Sequence, residues 1–138
     1  MGRAGPLTPR IQVHPSLILW LSILWYLDSA VVLPFLAAAG FHELGHALAL
    51  YSLDKPPSTI RLSFAGAVME VPGLSYREEL FAAAAGPAAS LLLGLLTPLW
   101  PGLGLYSLAL GLFNLLPLYG LDGSRMLRAF LLPRCSLD

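Results

Sequence analysis

Apolar positions fall in long unbroken runs: residues 16 to 53, 80 to 99 and 102 to 121 are almost continuously hydrophobic. Runs of this kind suit helices in lipid, where about 20 apolar residues cross a hydrocarbon core of about 30 Å. The first run carries Asp28 and Ser29 within it and a polar cluster from His42, and its length fits two helices better than one. It divides at Asp28-Ser29, with Pro15 in the first turn of the first helix and Ser29 as the N-cap of a second that reaches Leu53. The first helix, Leu17 to Leu27, is short for a span and needs Ile11 to Ser16 to lengthen it. Pro56-Pro57 then breaks the helical pattern, and Ile60, Leu62 and Phe64 alternate with Arg61, Ser63 and Ala65, a period of two that predicts a strand. Gly66 followed by Ala67 to Val71 predicts its return. A third helix runs from Leu80 to Leu99, with small residues at Ala82 to Gly86 that let membrane helices approach closely. Pro98, Pro101 and Gly102 make the next turn, and a fourth helix runs from about Leu103 to Leu116, before Pro117. The expected fold class is an all-α membrane protein of about four transmembrane helices, with a small re-entrant β-hairpin between the second and third, in a single domain over residues 1–138.

Composition supports lipid as the solvent, because 57% of residues are hydrophobic and 12% charged, where soluble domains carry about a quarter charged. The net charge of zero gives no electrostatic footprint for nucleic acid. Cys135, the single cysteine, can form no intrachain disulfide. Arg3 and Arg10 before an apolar run ending at Ala37-Ala38-Ala39 imitate a secretory signal, but that run is about twice the length of a signal core. With four spans, Arg3, Arg10, Lys55, Arg61, Arg77, Arg125, Arg128 and Arg134 all fall on one side, and the opposite turns carry no Lys or Arg. The positive-inside rule then predicts a multi-pass protein with both termini in the cytoplasm.

The chemistry concentrates in His42-Glu43-Leu44-Gly45-His46. Histidines four apart project from one helix face and can share a metal ion; neutral imidazole suits Zn²⁺, which lowers the pKa of a bound water toward about 7. Glu43, next to the first histidine, is placed to take that water's proton. Three ionisable groups within five residues of an apolar helix need a compensating partner, since each costs about 2.5 to 3.5 kcal/mol on insertion scales. A third ligand is required. Asp28 lies at the far end of the helix pair, whereas Asp122, after the fourth helix, sits at a depth similar to that of His46 and is the better candidate; alone it would read as a turn residue before Gly123. His14, beside Pro15, reads as a capping or interfacial residue rather than a ligand.

With these residues the chain resembles the site-2 protease family, and within it the shorter bacterial branch that includes the sporulation sigma-factor-processing protease. The His42 to His46 motif is similar to the family's zinc helix; Asn114, Pro117 and Leu121-Asp122-Gly123 to its third-ligand motif; and Gly86-Pro87 to the Gly-Pro step of the intervening helix. Val13-His14-Pro15 before the first span is also typical of that branch, and the resemblance covers residues 11 to 130. It implies a zinc endopeptidase of a bacterial cytoplasmic membrane, cutting a membrane-spanning or membrane-associated protein within or at the edge of the lipid bilayer. His42, His46 and Asp122 would hold zinc, Glu43 would be the base, and Asn114 would bind substrate or stabilise the transition state. The hairpin residues Ile60, Leu62, Phe64 and Gly66 would offer a strand edge to the substrate backbone. The family's Asn three residues after the Gly-Pro step is Ser90 here. A rival reading is a catalytically silent scaffold of the same fold, against which the intact Glu43 argues. A metal transporter would need a path of further ligands, and only His14 and Asp28 remain.

Overall fold

The computed structural model describes residues 9–63 and 66–135, apart from the side chains of Ser29 and residues 133–135. Phe64 and the segment containing Arg3 lie outside the described residues. The elements are strand β1 (Arg10–Val13), helices α1 (Pro15–Leu27) and α2 (Ser29–Ser52), strands β2 (Thr59–Ser63) and β3 (Gly66–Glu70), and helices α3 (Tyr76–Gly94), α4 (Pro101–Asn114) and α5 (Asp122–Cys135).

Local chemistry sets the helix ends. His14 caps α1, its ring accepting from the Ser16 N–H at 3.2 Å, and Pro15 takes the first turn, where its missing N–H costs nothing. The break in the first apolar run falls where expected, but the N-cap of α2 is Asp28, which accepts from the Ala30 N–H at 2.9 Å, and Ser29 is already helical. At its other end α2 closes in a Schellman arrangement: Asp54 adopts φ 55°, and the N–H groups of Asp54 and Lys55 bond back to Tyr51 O and Leu50 O. A capping box of Ser75 and Glu78 opens α3, which therefore starts at Tyr76, four residues before the expected Leu80.

Two elements are additional to the expected fold. Arg10–Val13 forms β1, which pairs parallel with β2, while β3 pairs antiparallel on β2's other side, giving the order β1-β2-β3. The fold is thus mostly helical with a three-stranded sheet rather than all-α with a hairpin. The substrate-pairing edge expected along Ile60 and Leu62 is taken by β1, so an open edge passes to β3, which begins at Gly66. The second addition is α5, with Asp122 as its first residue.

Of the expected spans, one described helix, Ala30–Ser52, is long and apolar enough to cross a membrane. The 13 residues of α1 and 14 of α4 reach only about 20 Å each. Large apolar side chains stand exposed on all four apolar helices, among them Leu19, Leu33, Leu92 and Leu112.

The core is made of small residues. Ala38, Ala82 and Ala83 are buried between α2 and α3, and Gly45 lies so close to α3 that a Cβ there would meet Ala85 O at 2.6 Å. Gly111 of α4 similarly faces Ser90 of α3. Helices α2, α3 and α4 pack on one another, and α5 packs on α3, which brings the start of α5 beneath the last turns of α2.

Candidate metal centre

His42 and His46 stand one turn apart on α2, both buried, with their Nε2 atoms 3.2 Å apart. Asp122 is buried opposite them, and its Oδ2 lies 3.1 Å from each Nε2. The three side chains join residues 80 and 76 positions apart in sequence because α3 holds both α2 and α5.

The donor set fits a divalent cation. A tetrahedral zinc with bonds of about 2.0 to 2.1 Å separates its ligand atoms by about 3.3 Å, close to the spacing found here. The ring nitrogens that face away are held: His46 Nδ1 is 2.7 Å from Ala82 O, and His42 Nδ1 is 2.9 Å from Ser90 Oγ. A carbonyl can only accept, so His46 carries its proton on Nδ1 and presents a bare Nε2 to the centre, the tautomer a metal requires. His42, His46 and Asp122 could together hold a metal ion. Arg125 contributes a second contact, 3.7 Å from Asp122 Oδ1, on the side away from the histidines.

Glu43 is half-buried and points toward the sheet. Its Oε1 accepts from the Ala67 N–H at 3.3 Å, and a Cβ on Gly66 would come within 3.5 Å of the same oxygen. Ala67 lies opposite Leu62 but directs its N–H away from β2, so the outer edge of β3 runs past the carboxylate. Asn114 ends α4 and donates from Nδ2 to Leu110 O one turn back, at 3.0 Å. His14 and Asp28 are helix caps on α1 and α2.

Two features of the centre were not derivable from the motif. Ser90 contacts His42, and Gly86 makes room for His46: a Cβ at Gly86 would overlap that ring. Their signals in the sequence were the cluster of small residues on the third helix and the resemblance of Gly86-Pro87, with Ser90 three residues on, to the Gly-Pro step; neither said which ring each residue would meet.

No family model matches the chain. It is 30% identical, over 146 aligned residues, to a zinc metalloprotease of Methanocaldococcus jannaschii, a match covering 88% of this chain and 42% of the relative. The chain therefore spans about two fifths of the length of that curated relative. Among solved structures it is similar to the site-2 protease from Methanocaldococcus jannaschii, with a TM-score of 0.74 and 29% identity, covering 91% of this chain and 68% of that one. In sequence the chain is thus similar to a zinc metalloprotease, and in fold to a site-2 protease.

Proposed function

We propose that the chain is a zinc endopeptidase embedded in the membrane, hydrolysing a peptide bond in or near a membrane segment of a substrate protein. The observation that carries this reading is the convergence of three buried ligand atoms beside a carboxylate that faces an open strand edge. His42, His46 and Asp122 would hold zinc, which when bound supplies a Lewis acid and acidifies water. Glu43 Oε1 takes the proton of the attacking water as it adds to the scissile carbonyl and returns it to the leaving amine. The substrate lies extended along the outer edge of β3, from Gly66, with Ile60 and Leu62 of β2 supporting that strand from behind. Asn114, one amide hydrogen already committed to α4, offers the rest of its amide to substrate or transition state.

The protein would cross the membrane four times, with α2 as the full-length span and the shorter helices reaching the lipid boundary with help from flanking residues. The sheet, the end of α2, the start of α3 and α5 share one end of the molecule. At the other, Gly102 approaches Pro34 near the start of α2. The deciding experiment measures zinc and cleavage together in purified protein. Wild type is expected to carry about one zinc per chain and to cut a single-span substrate; Glu43→Gln should keep the zinc and lose cutting. Asp122→Asn should lose zinc to mild chelation while Asp28→Asn does not. Cleavage by Glu43→Gln at the wild-type rate would remove Glu43 from the mechanism, and zinc without cleavage in wild type would leave the silent scaffold.

A further inference from the structure

We infer that Ser90 is a positioning residue of the metal centre, holding the His42 ring through Nδ1 so that Nε2 faces His46 and Asp122. The inference rests on the zinc reading above and adds a residue to it. Ser90 is fully buried on α3, and its Oγ is 2.9 Å from His42 Nδ1. The two histidines are treated unequally. His46 is fixed by a backbone carbonyl, Ala82 O, which no side-chain change removes. His42 depends on one hydroxyl, supplied by a side chain that α4 presses into place, since Gly111 faces Ser90 so closely that a Cβ there would meet the serine Cβ at 3.0 Å.

A hydroxyl can accept from Nδ1–H when Nε2 faces a metal, and it holds the ring plane toward Asp122, as outer partners of metal-bound imidazoles do. Without an acceptor at that point, burying Nδ1–H costs an unsatisfied donor, and the neutral ring shifts its proton to Nε2, where it blocks the ligand position.

The test compares zinc affinity, by chelator competition, and the visible spectrum of the cobalt-substituted protein in wild type and Ser90→Ala. Expected is a loss of about 10- to 100-fold in metal affinity, with an altered cobalt spectrum. Unchanged affinity and spectrum would overturn the inference. Should Ser90→Ala not fold, the imidazole ¹⁵N shifts of His42 in zinc-loaded wild type decide: a proton held on Nδ1 in slow exchange with water is expected, and an Nδ1–H that exchanges as fast as an exposed imidazole's would equally overturn the role. The two failures are distinguishable: if wild type binds no metal, the metal-centre reading falls, whereas wild-type binding that Ser90→Ala leaves unchanged removes only Ser90.

Discussion

A methyl group at Gly86 would overlap the imidazole of His46, so this glycine is a requirement of that ring's placement and not only of helix packing. Gly86→Ala must push either α3 away from α2 or the His46 ring away from Asp122. Overpacking of this kind costs about 1 to 3 kcal/mol, and here part of the strain falls on a proposed zinc ligand. The expected outcome is a lower melting temperature together with faster loss of zinc to chelator; a variant that melts early yet holds zinc as wild type would show that the helices yield and the ring does not. Residue by residue, the sequence disclosed the groups whose spacing is local. His42, Glu43 and His46 lie within one helical turn and a bit, and their chemistry follows from helix geometry alone. Asp122 could be proposed from depth, because few polar residues compete for the role. The bonds from His42 to Ser90 and from His46 to Ala82 O span 48 and 36 residues, and nothing in a hydrophobic pattern says which small residue of a helix meets which ring.

Among the elements, the one that delivers Asp122 is also the one the hydropathy pattern concealed. Asp122-Gly123-Ser124-Arg125 looks like a turn with a basic tail, yet Asp122–Cys135 is helical, packs on α3 and buries Ala129. Strand β1 was hidden for a different reason: its four residues adjoin an apolar run and only gain a reason to be extended when β2 arrives beside them. Helix α5 is also tied down by charge. Glu79 of α3, with only 13% of its side chain exposed, accepts from Arg128 Nη2 at 2.6 Å and lies 4.0 Å from Arg125, which in turn reaches Asp122. Glu79→Gln removes the anion that both arginines share, and should speed zinc release at low salt. Arg128→Ala should do less, because Arg128 is largely exposed and such a pair is screened. Raising the ionic strength should bring wild type toward the Glu79→Gln rate. If Glu79→Gln releases zinc at the wild-type rate in low salt, Ala129 packing and not charge holds α5 in place.

For the whole molecule, the arrangement of ends bears on the proposed four-span orientation. Strand β1 leads into α1 and pairs with β2, which follows α2, so α1 and α2 go out and return to the same end. Helix α3 leaves that end from Ser75, and α4 comes back to it, since α5 follows within eight residues and places Asp122 on the α2 histidines. Arg10, Lys55, Arg61, Arg77, Arg125 and Arg128 all belong to the sheet and α5 end, while the connections at Asp28 and at residues 95–100 have no Lys or Arg. That distribution is the one the positive-inside rule selects for a cytoplasmic active site. The chain carries its own probe in Cys135, the single thiol, at the close of α5. In intact cells a membrane-impermeant thiol reagent should leave Cys135 unmodified, and after permeabilisation it should label it, with denatured protein as the control for burial. A three-span layout, with α1 and the first part of α2 forming one crossing, would instead put Cys135 outside when the N-terminus is inside. Strong labelling in sealed cells would therefore overturn both the four-span layout and the cytoplasm-facing centre, and would require the basic residues of the sheet and of α5 to face opposite compartments although both adjoin one metal centre.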